Sequence, residues 1–141
     1  MRTRLRLTRD GETYVSLITP VQAAAFRRAL AFLRGRNLGD PALAVQLGAD
    51  AKAVDALADR FAGEHETSFE LRLTPQDLHT LHSALTAAAV MFLERNMFSE
   101  EDFHRELTFY RENFDALALG IVEAVAEAGD SLRIRGGGGG S

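Results

Sequence analysis

The sequence predicts an α+β domain, an antiparallel sheet of three to four strands with helices packed on one face. Three observations predict it. Short alternating apolar segments lie in residues 2–18 and 67–73, stripes at helical spacing fill most of the remainder, and Thr19-Pro20 and Thr74-Pro75 mark two strand-to-helix junctions. A chain of 141 residues, 46% hydrophobic and 26% charged, is large enough to bury a core and too apolar to be disordered.

The elements follow in order. Asp10-Gly11 is a two-residue hairpin signal, because both central positions of a type I′ turn need positive φ. It predicts strands over 2–8 and 12–18, with Arg9 opposite Glu12, Leu7 opposite Tyr14, Leu5 opposite Ser16 and Thr3 opposite Ile18. One face then carries Leu5, Leu7, Tyr14 and Ile18, and the other Arg2, Arg4 and Arg6 beside Val15 and Leu17.

Thr19-Pro20-Val21-Gln22 is a helix start, with threonine capping, proline at the first helical position and glutamine completing a capping box. That helix buries Phe26, Ala29, Leu30 and Leu33 and stops near Gly35. A short helix over 41–47 is broken by Gly48, and Asp50 caps another that shows Val54, Leu57 and Phe61 on one side. Phe69, Leu71 and Leu73 alternate with Glu70 and Arg72 as a strand over 67–73. Thr74-Pro75 opens a helix with Leu78, Leu81, Leu85 and Phe92 inward.

Ser99 caps the longest helix, where Glu100, Glu101 and Asp102 complement the dipole. Its stripe is Phe103, Leu107, Tyr110, Phe114, Leu117, Ile121 and Val125, and Gly129 ends it. Leu132 and Ile134, alternating with Arg133 and Arg135, predict a closing strand over 131–135. Residues 136–141 read as a flexible Gly/Ser tail, leaving 1–135 as a single domain.

The two halves resemble each other. Tyr14 to Leu30 lies over Phe69 to Leu85 at a constant offset, matching Thr19-Pro20 to Thr74-Pro75 and Ala29-Leu30 to Ala84-Leu85. Phe32-Leu33 recurs as Phe92-Leu93, and Asp55-Ala56-Leu57 as Asp115-Ala116-Leu117. A duplicated strand-helix-helix unit, 12–62 and 67–128, predicts two related halves about a pseudo-twofold axis with their strands in one sheet.

Cysteine is absent, which excludes disulfides, thiolate metal sites and cysteine catalysis. The basic N-terminus has no apolar stretch behind it. The most apolar run, Ala84 to Leu93, is about half the ~20 residues a membrane span needs. A cytoplasmic protein is expected. Of sixteen basic residues only Lys52 is a lysine, and with abundant alanine and glycine this composition points to a GC-rich bacterial source.

Catalytic constellations are sparse. His79 and His82 are three apart on one helix with Asp77 nearby, a ligand-compatible spacing, but nothing local supplies a third ligand beyond them. Glu64-His65-Glu66 reads as a solvated loop, and helix-start electrostatics accounts for the acids at 100–102. No nucleophile-elbow, P-loop or dinucleotide fingerprint occurs. No catalytic residue, metal or cofactor is assigned.

Ala42 to Phe61 resembles a bacterial helix-turn-helix, with Ala44 in the first helix, Gly48 at the turn, and Val54 and Leu57 at the inward positions. The resemblance covers about twenty residues and implies a second helix lying in the DNA major groove. Asp50, Lys52, Asp55, Asp59 and Arg60 are that helix's polar set, a net negative surface that phosphates repel.

The surface of most interest is the sheet's other face, where Arg2, Arg4 and Arg6 gather with Val15 and Leu17, joined by Arg72 and by Arg133 and Arg135. Because the chain's net charge is −4, the helical side must be acidic. Three uses fit: a solvated face with arginine stems over Val15 and Leu17, a partner or self-association surface, or a phosphate-gripping groove. The groove lacks aromatic stacking platforms. The expected function is a non-catalytic bacterial protein-interaction module, self-associating, without membrane contact. It would bind through Arg2, Arg4, Arg6, Val15, Leu17 and Arg72 or through acidic helices, in an adaptor, antitoxin or immunity role. The alternative is a nucleic-acid-binding regulator using the arginine face or residues 42–61.

Overall fold

The computed structural model describes residues 3–36, 39–95 and 111–140. Among them are three strands, β1 (Arg6–Asp10), β2 (Thr13–Ile18) and β3 (Phe69–Leu73), and five helices. The helices are α1 (Pro20–Arg34), α2 (Asp40–Leu47), α3 (Ala51–Asp59), α4 (Pro75–Arg95) and α5 (Arg111–Gly140). The sheet is antiparallel in the order β1-β2-β3. The fold is therefore α+β.

β2 sets the division between inside and outside. Tyr14, Ser16 and Ile18 are buried, while Thr13, Val15 and Leu17 alternate with them at intermediate exposure. The inner face continues with Leu7 on β1 and with Phe69, Leu71 and Leu73 on β3. Over it lie α1, α4 and α5, which join Phe26, Leu30, Leu33, Leu81, Leu85, Phe114 and Leu117 to one core. Each such side chain taken fully from water contributes about 1.5–3 kcal/mol.

The hairpin register differs from the expected one by two residues. Asp10 pairs with Thr13 and Arg9 with Tyr14, so Leu7 stands opposite Ser16. The loop is Gly11-Glu12, and Gly11, at φ +65°, takes the first loop position. Moving the loop by one residue brings Asp10 into the ladder opposite Thr13, where Arg72 from β3 donates to both, at 2.8 and 2.7 Å. A shift of two keeps every side chain on its face. Leu5, just before β1, is still buried.

The caps follow the sequence closely. The Thr19 hydroxyl accepts from Gln22 N–H and the Gln22 side-chain Oε1 accepts from Thr19 N–H, at 3.1 and 3.0 Å. Thr74 and Asp77 make the same reciprocal pair, at 3.0 and 2.9 Å. Gly48, left-handed at φ +71°, ends α2, and Asp50 caps α3 by accepting from Ala53 N–H at 2.9 Å. The C-terminal end of α2 is tied to α4: Thr80 donates to the Leu47 carbonyl at 3.0 Å and Gln76 to the Gly48 carbonyl at 2.9 Å.

β2–β3 pairing is twofold about Ser16 and Leu71. Tyr14 faces Leu73 and Ile18 faces Phe69, so residues matched between the two halves by the constant offset exchange places across the pair. Ser16 meets Leu71, its own counterpart in that matching. α1 and α4, the helices that follow the two strands, pack against each other.

The C-terminal expectations change most. Gly129 lies inside α5 and does not end it, and residues 131–135 continue the helix instead of closing the sheet. The helical stretch also runs through the glycines to Gly140. Phe114, Leu117 and Ile121 already bind α5 along α4 and the core, and a helix so anchored propagates at one hydrogen bond per residue. A strand at 131–135 would have needed a sheet edge to pair with. Residues 99–110, including Ser99, Glu100, Glu101, Asp102, Phe103, His104, Leu107 and Tyr110, lie outside the described residues.

Two glycines of α5 have opposite surroundings. A Cβ on Gly120 would overlap the Thr3 carbonyl oxygen and come within 3.1 Å of Arg4 Cα, whereas one on Gly129 meets nothing within 4 Å. Gly129→Ala should therefore gain about 0.5–1 kcal/mol in denaturant unfolding, from the helical preference for alanine. Gly120→Ala should lose about 1–3 kcal/mol, because backbone overlap outweighs that preference. Ser16, fully buried with its hydroxyl unpaired, gives a third outcome. Ser16→Ala should raise stability by about 1 kcal/mol by removing an unsatisfied polar group at nearly constant volume.

Candidate functional site

The candidate site is the outer face of the sheet, on which no described helix packs. Pairing register lays it out in rows. The first row runs Arg6, Leu17, Glu70, the second Thr8, Val15, Arg72, and the third begins Asp10, Thr13. Val15 and Leu17 on the central strand are half-buried by their neighbours, while Arg6, Thr8, Asp10, Glu70 and Arg72 on the edges are exposed. The face thus presents a short apolar ridge between two charged margins.

The expected arginine cluster is dispersed. Arg6, Val15, Leu17 and Arg72 share the face, but Arg4 does not, and Arg2 lies outside the described residues. Arg4 precedes β1 and turns to α5, donating to Glu123 and Glu127, both at 2.7 Å. Two carboxylates one helical turn apart make a fork for a guanidinium, and that pull, with Thr3 seated on Gly120, carries Arg4 to the helical side. The two glutamates hold its pKa above the usual arginine value, first through the Glu123 hydrogen bond. Arg133 and Arg135 belong to α5, not to the sheet.

Arg72 remains on the face but is held by Asp10 and Thr13. Arg60 guards the β3 edge, bonding the Arg72 carbonyl and pairing with Asp77 at 3.1 Å. Arg34 makes a two-toothed pair with Asp55, at 2.7 and 3.2 Å, tying α1 to α3. Arg6 and Glu70 differ from all of these. Neither makes a hydrogen bond or ion pair among the described residues, although both stand exposed in one row.

Charge on the outer face is consequently balanced, Arg6 and Arg72 against Asp10 and Glu70. Sequence pattern showed the arginines, because alternation is local. The same alternation places Glu70 beside Arg72, whereas Asp10 joins this face only through the two-residue change of register.

The other candidates resolve differently. Asp77, the neighbour of His79 and His82, is occupied by the Thr74 cap and by Arg60. Among the described residues no three histidine, aspartate or glutamate side chains gather as a metal site. His79 and His82 instead border a groove of about 280 Å³ between α4 and α5, shared with Tyr14, Leu78, Val122 and Val125. His65 is not simply solvated: its ring stacks on Phe69 at 3.9 Å between centroids. In the helix-turn-helix-like segment Ala44 is exposed, and Leu43 and Leu47 are the buried residues of α2. Val54 and Leu57, the inward positions of the resemblance, are buried on α3. Val45, beside Ala44, is 90% exposed, and Asp55 is already paired with Arg34.

Searches against protein-family models, curated proteins and solved structures find no match to this chain.

The Arg34–Asp55 pair carries a pH dependence. Hydrogen bonding from the Arg34 guanidinium holds the Asp55 carboxyl below its usual range. A lowered folded-state value means the stabilisation is present above the unfolded carboxyl pKa, about 3.9, and is lost as pH falls through the folded value. Asp55→Asn should therefore flatten the fall in stability below about pH 4. Urea unfolding of both proteins at neutral and acid pH checks this, and the difference should be small because Asp55 is exposed and Arg34 only half-buried.

Proposed function

We propose that the chain is a non-catalytic protein-interaction module that docks a protein on the outer face of its sheet. One observation carries the reading. Val15 and Leu17 form an apolar ridge on a face left bare by the described helices, and equal numbers of positive and negative side chains frame it. An apolar centre with a charged rim is the anatomy of a protein contact, in which arginine is favoured.

A nucleic-acid groove is supported less well. Phosphate binding needs unopposed cations, and Asp10 and Glu70 stand on the same face. Arg4 is committed to two glutamates and Arg72 to an aspartate. α3 presents Asp50, Asp55 and Asp59 against Lys52 and Arg60, so the helix-turn-helix-like corner repels DNA too. An adaptor, antitoxin or immunity role remains compatible with a small module of this kind.

A photoreactive residue at position 15, exposed to bacterial lysate at moderate salt, should give discrete protein adducts. Leu17→Asp should reduce them at least about tenfold, by placing an unpaired charge in the contact's centre. Labelled oligonucleotides should show no retention at any salt concentration. Binding to them that weakens steeply with salt, and disappears in Arg6→Glu plus Arg72→Glu, would reverse the assignment in favour of nucleic acid.

A further inference from the structure

Arg6 and Glu70 stand apart from the other charged groups of the sheet. Arg72 and Asp10 neutralise each other within the chain, Arg4 is spent on α5, and Arg60 is spent on Asp77 and the β3 edge. Arg6 and Glu70 have no partner among the described residues, yet register puts them at opposite ends of one row with Leu17 between them. They are two strands apart, roughly 10 Å at the usual strand spacing, which is too far for them to pair with each other through direct contact.

That row is self-complementary. A twofold axis laid along β2, midway between two stacked sheets, brings β1 of one copy over β3 of the other. Each central-strand residue then meets its own equivalent, Leu17 on Leu17 and Val15 on Val15. At the margins Arg6 of each copy lies over Glu70 of the other, which makes two ion pairs by one symmetry operation. Stacked sheets sit about 10 Å apart, a gap that an arginine and a glutamate reaching from opposite sides can span.

We propose that the outer face closes on a second copy of this chain, about a twofold axis running along β2, with Arg6 of each copy paired to Glu70 of the other across Leu17. This rests on the outer face being the docking surface and adds its occupant and geometry. Three strands of five or six residues cover roughly 250 Å² in plan, well below the ~800 Å² per partner of a stable interface. The dimer is therefore reversible and concentration-dependent.

Sedimentation equilibrium of the full chain over a wide concentration range tests it. Wild type should show a monomer–dimer equilibrium. Arg6→Glu alone sets like charges together at both margins, as does Glu70→Arg alone, and each should weaken dimerisation about tenfold. An equimolar mixture of the two variants restores opposite charges at both margins, so mixed dimers should form at near wild-type strength. The double variant in one chain should recover likewise. Far-UV circular dichroism confirms that each variant is folded.

Other outcomes overturn the proposal in distinguishable ways. A chain monomeric at every concentration removes the second copy as occupant, while protein adducts from position 15 would still uphold the face as a docking surface. A dimer abolished by Val15→Asp but indifferent to both charge reversals keeps the face and rejects this axis. Rescue of Arg6→Glu by Asp10→Arg, and not by Glu70→Arg, rejects it in favour of an axis across the strands. A dimer indifferent to Val15→Asp as well rejects both the geometry and the face.

Discussion

The constraint on which the fold depends is the alternation along β2. Tyr14, Ser16 and Ile18 must lie under helices, because among the described strands β2 alone has neighbours on both sides and its inner residues sit at the centre of the core. Once they do, the period of two sends Thr13, Val15 and Leu17 outward with no remaining freedom. The chemistry of the outer face is thus a by-product of what the core requires. Moving β2 by one residue would bury Val15 and Leu17 well enough, but would expel Ile18 and Tyr14.

Much of this was legible in the sequence because it is local. The two Thr-Pro caps, Gly48 ending α2, Asp50 opening α3 and the apolar stripes of α1 and α4 are settled by residues within a turn or two of one another. The faces of the hairpin were legible for the same reason. Its register was not, because Asp10-Gly11 and Gly11-Glu12 both offer Gly11 to a two-residue loop. The choice between them depends on Arg72, sixty-two residues from Asp10, reaching across from β3.

Arg4 illustrates the opposite limit. Its place in an alternating Arg-Leu-Arg-Leu pattern assigns it to the face of Arg6, and local reasoning offers nothing against that. What displaces it is a surface supplied by the far end of the chain: Gly120, whose missing side chain admits the backbone of Thr3, and Glu123 and Glu127 beyond it. Sequence shows a glycine interrupting a helical stripe and two acids one turn apart, both ordinary features of exposed helices. Their meaning comes only from which segment crosses them. The predicted strand at 131–135 failed for a related reason, since alternation over four residues is weak evidence when a well-anchored helix stands immediately before it.

These two departures together change what the outer face can do. With Arg4 taken to the helical side and Asp10 brought onto the sheet, a surface that reads as basic becomes neutral, and long-range attraction for polyanions gives way to short-range complementarity. A neutral face with fixed opposite charges at its two margins selects by geometry, because only a partner presenting the reversed order satisfies both ends. The simplest object with the reversed order is the same face turned about the strand axis. Satisfying Arg72 internally contributes to this selectivity, since a second free guanidinium on β3 beside Glu70 would offset the margin's negative charge and weaken the discrimination between orientations.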